Sequence, residues 1–461
     1  MPMSELTGKT LPFCPRKPVM ADTATATTTE SDTASPALAA APGPAPVSPA
    51  AGPPPANIVK LRPEDAIALL MEYALALPAS DLFIAPGEKE YQVLVRSLGL
   101  LRSVIPVPSE VARRWIAHLK VVAQMDITEK RRPLDGRWVY HRMADKFPVD
   151  VRMSTIPTLY GEDLAMRILD LGSAQYELGG MGMTPGQCDE LITAASNPGG
   201  LILVTGPTGS GKTATLYGLL RYLNDGRRKI NTIEDPIEYA IPGIRQSQVN
   251  PAIKLLFPTL LRAVLRQAPD VIMLGEIRDE ETASTAVAAA NTGHLVLATV
   301  HAGAAALAPQ SLLGLGVSPQ SLGFCLRCVV SQRLARTLCI KCKRAFPVDD
   351  LPHLFDDVAR FLAPGEGTAL YAPAGCELCN KTGYTGRTGI FEIMPVNGAV
   401  RAAVAQSATP REVHKKAVDA GMLAFRQAAL LKVAEGITST EELFRVLPAE
   451  NLTSDLMSTW A

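Results

Sequence analysis

Residues 206–213 read GPTGSGKT, directly after the apolar run LILVT and directly before ATLYGLLRYL. This stretch constrains the fold more than any other. A G-x-x-x-x-G-K-T spacing between a strand and a helix is a phosphate-binding loop. Gly206, Gly209 and Gly211 let the backbone bend so that successive N–H groups point into one cavity, with Pro207, Thr208 and Ser210 filling the turn between them. The helix that follows adds its partial positive charge, and together these groups bind phosphate oxygens. Lys212 is placed to reach the β- and γ-phosphates, and the Thr213 hydroxyl to hold Mg²⁺. A chain built around this loop is expected to bind a nucleoside triphosphate.

The surrounding pattern agrees. From about Cys188 onward, LILVTG, KINTIED, DVIMLGE and HLVLATVH are short, apolar and rich in branched residues. They alternate with helical stretches, which predicts a parallel α/β sheet. Glu234, Asp235 and Glu238 close one of these strands, and Glu276, Arg278 and Asp279 close another. A carboxylate at such a strand end can orient the attacking water or hold the metal. Glu276 and Glu234 are both candidates, and the residues alone do not apportion the roles. Glu238 and Asp279 read equally well as solvated loop carboxylates. His294 and His301 bracket the last strand on opposite faces. His301, at its C-terminal end, is the better placed to sense a γ-phosphate.

Residues 1–57 are dominated by Ala, Thr, Ser and Pro, as in ATATTTE and APGPAPVSPAAGPPPA, and predict a disordered tail. Patterning starts near Ile58. PEDAIALLMEYALALP predicts a helix, and DLFIAP, YQVLVRS, RWVYHR and VDVRMST predict strands, with a helix between Ala112 and Met125. Residues 58–170 therefore make a first α/β domain, and the Gly-rich LGSAQYELGGMGMTPGQ suits a flexible linker at 171–186. The domain carrying the loop is assigned to 187–335, a cysteine-bearing element to 336–394, and a helical C-terminal subdomain to 395–461. In that last part TPREVHKKAVDAGM and STEELFRVLP each open on a Thr or Ser cap signal.

Composition excludes several classes. With 47% hydrophobic and 20% charged residues among 461, wholesale disorder is ruled out. Forty-five Lys+Arg against 45 Asp+Glu leave no net charge, whereas a protein that neutralises nucleic-acid phosphates carries a basic excess. No uncharged apolar run approaches the roughly 20 residues of a membrane helix. The opening MPMSELTGKTLPFCPRKPVM lacks a basic-then-apolar secretory pattern, so a cytoplasmic location is expected.

Six of the eight cysteines fall in three C-x-x-C pairs. Cys339, Cys342, Cys376 and Cys379 form two knuckles whose four thiolates would make a closed, structural Zn²⁺ site. Cys325 and Cys328 lie in FCLRCVVSQRL, which reads as an apolar helix where cysteine behaves as a small buried hydrophobe. Cys14 and Cys188 carry no signal.

Taken together, the sequence resembles the secretion ATPases of type II secretion and type IV pilus assembly across residues 58–448. The resemblance is anchored by MDITEKRRPLDGR, VDVRMSTIPTLYGEDLAMRILD, the phosphate loop, TIEDPIEY, VIMLGEIRDEET, TGHLVLATVHA, SQRLARTLCIKC and GCELCNKTGYTGRTGIFEI, in that order. It implies a PAS-like N-terminal α/β domain joined to a RecA-like P-loop ATPase domain, with a zinc-binding insertion and a helical C-terminal subdomain. It further implies a homo-hexamer that uses ATP, Mg²⁺ and Zn²⁺, with ATP between the two domains. Arg152 and Arg167 from the first domain, and Arg262 and Arg278 from the second, match the arginines that reach the nucleotide. Their planar, permanent charge suits phosphate oxygens.

The implied activity is ATP hydrolysis coupled to assembly of pilin or pseudopilin fibres. The implied partner is an inner-membrane platform or adaptor, with the chain peripheral to that membrane and no nucleic acid involved. Retraction motors of the family generally lack the four cysteines, which favours assembly or secretion. Three departures stand out: Ala268 where an acidic residue is usual, Ala302, Gly303 and Ala304 where Thr-Asn-Asp is usual, and Phe83 in place of a histidine. Ala268 and the altered Ala302–Ala304 stretch keep open an ATP-switched, non-hydrolysing scaffold. A nucleic-acid-coupled RecA-like motor is the remaining alternative.

Overall fold

The computed structural model describes residues 54–169, 177–348 and 353–447. The predicted tail lies outside them except at its end, where Ala56–Lys60 is a 3-10 turn.

The first unit comprises α1 (Pro63–Ala76), β1 (Ala79–Pro86), β2 (Tyr91–Ser97), β3 (Leu100–Val107), α2 (Ser109–Val122), β4 (Leu134–His141), β5 (Pro148–Thr158) and β6 (Gly161–Leu169). Its strands form one antiparallel sheet in the order β3-β2-β1-β6-β5-β4. Along β2, Tyr91, Val93 and Val95 are buried and alternate with half-buried positions, so one face of the sheet is core and the other is wet. Both helices pack on the core face, where Leu70, Met71, Trp115 and Leu119 are fully buried.

The second unit continues with α3 (Pro185–Ala195), β7 (Gly200–Thr205), α4 (Lys212–Leu223), β8 (Ile230–Glu234), β9 (Arg245–Gln248), α5 (Phe257–Leu265), β10 (Val271–Leu274), α6 (Glu280–Asn291) and β11 (Leu295–Val300). Then come α7 (Ala308–Gly314), α8 (Pro319–Cys325), β12 (Leu326–Leu338), β13 (Arg344–Pro347), β14 (Ala369–Ala372) and β15 (Tyr384–Pro395). The helices α9 (Gly398–Ala405), α10 (Pro410–Asp419), α11 (Phe425–Ala434) and α12 (Thr440–Val446) follow. The main sheet runs β15-β12-β7-β11-β10-β8-β9 and is parallel except for β15. The four strands expected from sequence are β7, β8, β10 and β11, each buried along its whole length. Such continuous apolar runs belong to a parallel sheet covered on both faces. One face packs on α3 and α4, the other on α5, α6 and α8. The C-terminal ends of the parallel strands line one edge, where ligands of open α/β sheets collect.

Three sequence expectations need correction. The segment FCLRCVVSQRL is not one helix: Cys325 ends α8 and Cys328 lies in strand β12, between β7 and β15. Both cysteines are buried, but a short apolar run flanked by strands on both sides has no period to distinguish it from a helix. The linker is shorter than 171–186. Residues 170–176 lie outside the described residues, yet Leu178, Met181 and Met183 are buried beside α4, and Thr184 caps α3 through a capping box with Gln187. Finally, β15 is not part of a separate cysteine element. Positions 388–395 pair with 328–335 of β12 and complete the main sheet.

The excursion between β12 and β15 holds the antiparallel pair β13–β14 and, between those strands, a 3-10 helix, Asp356–Phe361. It packs on α11 and α12 through Phe355, Val358, Phe425 and Leu443. Thr409 and Ser439 accept from the backbone N–H groups of Glu412 and Glu442, the caps predicted for α10 and α12. Residues 448–461 lie outside the described residues. Among the described residues, no helix is long and apolar enough to cross a membrane.

Candidate active site

After Thr205 the chain turns with φ of +145° at Gly206, +77° at Gly209 and +90° at Gly211, and α4 starts at Lys212. A Cβ at Gly206 would stand 2.5 Å from the Gln332 carbonyl oxygen, so glycine is required there by space as well as by conformation. The Lys212 ammonium donates to the carbonyls of Gly206 (2.8 Å) and Pro207 (3.1 Å) across its own loop. Burial pushes its pKa down, and the negative charge of Glu276 opposes that shift. Thr213 is exposed beside it. The loop borders a cleft of about 630 Å³ whose lining includes apolar Met181 and Phe391 and acidic Glu234, Asp235, Glu238 and Glu276. That volume suits a cofactor-sized ligand.

The two strand-end carboxylates sit in different settings. Glu234, at the end of β8, is buried and accepts from Thr232 Oγ1 (2.5 Å), Gln246 Nε2 (3.1 Å) and the Tyr217 hydroxyl of α4. Donors from three elements fix its rotamer. Glu276, beyond β10, meets Arg278 Nε at 2.7 Å and His301 Nε2 at 3.7 Å. The sequence-predicted His301, Arg278 and Glu276 therefore stand together. His294 is elsewhere, 3.0 Å from the Ala289 carbonyl. Of the two loop carboxylates, Asp279 caps α6 by accepting from Thr282 N (2.8 Å), while Glu238 lines the cleft. Burial pushes the Glu238 carboxyl up, against the pull of Arg152 and Arg167.

The sheet of the first unit aligns its arginines. Arg137 faces Arg152 across β4–β5, Arg152 faces Arg167 across β5–β6, Arg167 faces Asp81, and Asp81 faces Arg96. Like charges directly opposite one another destabilise a sheet unless anions neutralise them. Here Asp150 holds Arg137 (2.7 Å), Asp81 holds Arg167 (3.3 Å), and Glu238 of the second unit holds Arg152 (3.4 Å). Arg152 also donates to the Ile237 carbonyl (3.0 Å), and Arg167 lines the cleft. Arg262 is not brought there: it pairs with Glu281 of α6 and is absent from the lining.

Sequence reasoning passed over Gln332, Tyr217 and Arg387. Gln332 and Arg387 line the cleft from β12 and β15, and Tyr217 holds Glu234. Gln332 and Arg387 lie within anchors quoted above, SQRLARTLCIKC and GCELCNKTGYTGRTGIFEI, so the signal was present without a role attached. Where polar side chains are missing at Ala302 and Gly303, bonds from other side chains to their backbone hold the turn. Ala302 N donates to Thr205 Oγ1 (2.7 Å), and Arg333 donates to the Gly303 carbonyl (2.6 Å).

The four cysteines meet at the base of the β12–β15 excursion. Sγ atoms of Cys339 and Cys376, and of Cys342 and Cys379, are 3.8 Å apart, and those of Cys376 and Cys379 are 3.7 Å apart. Four sulfurs at about 2.3 Å from a tetrahedral centre stand roughly 3.8 Å from one another. The set therefore fits a zinc ion and is far too open for disulfides. The N–H groups of Cys376 (3.1 Å) and Gly383 (3.2 Å) point at Cys379 Sγ. Burial alone would push that thiol up, but these donors and the neighbouring sulfurs bring it down to about 7. A thiolate at this position is ready for a metal. Bound there, zinc would staple the two ends of the excursion.

The Type II/IV secretion system protein family profile matches residues 62–445. The type II secretion system protein E of Dickeya dadantii is 42% identical over 383 residues, 83% of this chain and 75% of the relative. The type IV pilus assembly ATPase PilB of Pseudomonas aeruginosa is 43% identical over 369 residues, 80% of this chain but 64% of the relative. Among solved structures, the pilus retraction motor PilT with bound ADP aligns at TM-score 0.50 and 25% identity, over 82% of this chain and 99% of that one. The ATPase DotB of Legionella pneumophila aligns at TM-score 0.61 and 22% identity, over 83% of this chain and 95% of that one, a likeness of fold.

Proposed function

The chain belongs to the type II/IV secretion system protein family, and from that premise we propose that it is a homo-hexamer whose ATP hydrolysis drives assembly of pilin or pseudopilin fibres. It is an ATPase of that family. The relatives named protein E and PilB support the fibre and secretion reading. An inner-membrane platform or adaptor would hold it at the cytoplasmic face of the membrane.

The single observation carrying the proposal is convergence on one cleft. The phosphate loop, two strand-end carboxylates, His301 and Arg167 from the other unit all line it. In this reading, loop N–H groups and Lys212 bind the β- and γ-phosphates, and Thr213 holds Mg²⁺. Glu276, whose charge acts on Lys212, serves the metal side. Glu234, locked by three donors, orients the attacking water. Arg278 and Arg167 stabilise charge on the transferring phosphoryl group, with His301 beside it, so catalysis is positioning and electrostatics. Arg262 would have to leave Glu281 to take part. Arg152, held now by Glu238, is the group a γ-phosphate would recruit to close the first unit over the nucleotide.

The test is Mg²⁺-ATP turnover against protein concentration, beside Lys212→Ala. Turnover that rises steeply with concentration and vanishes in the variant is expected. Tight ATP binding without turnover would favour the switch reading, which rests on Ala268, Ala302, Gly303 and Ala304. Stimulation by DNA would favour a nucleic-acid motor.

A further inference from the structure

Gln332 sits on β12, fully buried, one position beyond the last residue of that strand paired with β7. Both ends of its amide are used. Nε2 donates to the Ser210 carbonyl (2.7 Å), and Oε1 accepts from Thr215 Oγ1 (2.7 Å). Its own carbonyl oxygen fills the space a side chain at Gly206 would need, and its Nε2 stands 3.1 Å from the position of a Cβ at Gly211. One glutamine therefore touches the beginning, middle and end of the phosphate loop and the first turn of α4.

We infer that Gln332 is a positioning residue that sets the direction of a phosphate-binding N–H group. The inference rests on the assignment of ATP to this loop. In a trans peptide the C=O and the following N–H point in opposite directions. By pinning the Ser210 carbonyl toward β12, Gln332 turns the Gly211 N–H away from β12. That N–H is one of the donors the loop offers to phosphate. Thr215 fixes the amide's orientation, because its hydroxyl donates to Oε1 and leaves Nε2 to face Ser210. Gln332 contacts no reacting atom in this account; it acts through the backbone of the loop.

The experiment measures the Kd of a fluorescent N-methylanthraniloyl ATP analogue with Mg²⁺, steady-state KM and kcat, and the melting temperature, for Gln332→Glu, Thr215→Val and the parent. Gln332→Glu sets a carboxylate against the Ser210 carbonyl, so the peptide plane must turn. Kd and KM are expected to rise together by about tenfold, with kcat falling less, the pattern of lost uniform binding. Thr215→Val leaves the glutamine but removes its hydroxyl donor, and about threefold weaker binding is expected. The double variant is expected to lose less than the product of the two factors, since both changes act through one amide. A lowered melting temperature with unchanged Kd in either variant overturns the inference and makes Gln332 a packing residue. If Gln332→Glu does not fold, Thr215→Val decides alone. Unchanged analogue binding by Lys212→Ala would instead overturn the ATP assignment itself.

Discussion

At the scale of single residues, the cleft depends on side chains whose directions are fixed by neighbours. Glu234 shows this best: Tyr217, Thr232 and Gln246 all donate to it. If Glu234 orients water, removing the Tyr217 hydroxyl loosens that aim without touching nucleotide. Tyr217→Phe is expected to lower kcat about tenfold while leaving the KM for ATP within about twofold. A change in KM alone would mean that Glu234 serves binding. The sequence offers Glu234 and Glu276 as equal candidates, and the structure gives them different surroundings. Tyr217 was illegible because it sits at a buried helical position, where an aromatic ordinarily means core.

At the scale of elements, two devices secure the excursion between β12 and β15. The four cysteines close its base, and about one tightly held zinc per chain is expected, lost in Cys376→Ser. Metal analysis of freshly purified protein that finds none would remove the structural zinc. The second acts through helix α12, on which the excursion packs and which is itself tied to β12. Glu442 is completely buried and takes Arg336 Nε (2.9 Å) and Nη2 (2.7 Å), together with Arg445. Burial alone would raise its pKa, but bonds from Arg445 and Arg336 outweigh burial and hold it below its usual value. A depressed folded pKa means stability that is present above about pH 4.5 and lost as pH falls through the lower folded value. Glu442→Gln leaves the Arg336 charge uncompensated and is expected to cost about 3 kcal/mol. It should also flatten the acid limb of a melting-temperature profile. An unaltered limb would place the acid sensitivity elsewhere.

At the scale of the whole molecule, Arg152 is one link between the units. It reaches from the sheet of the first unit to Glu238 and the Ile237 carbonyl of the second, beside the cleft. Arg152→Ala removes a contact that closure would exchange for phosphate. It is expected to lower turnover at least tenfold while shifting the concentration dependence of assembly by less than about twofold. Equal losses in both would make the arginine an assembly contact. The row Arg137, Arg152 and Arg167 exists because consecutive antiparallel strands place these residues in register. No local stretch of sequence contains it.

The sequence by itself determined the glycine-rich loop, the four central strands, two of them with acidic ends, the cysteine quartet and the two-unit plan. Each of these is written in contiguous residues or fixed spacing: glycines where φ is positive, continuous apolar runs, C-x-x-C pairs. Tertiary structure alone decided that FCLRCVVSQRL straddles a helix end and a strand, and that Leu178, Met181 and Met183 are core rather than linker. It also placed Gln332, Tyr217 and Arg387 around the loop and left Arg262 outside the cleft. The reason is physical. A buried polar side chain takes its meaning from the donors and acceptors facing it, and here those partners come from strands and helices far apart in the chain.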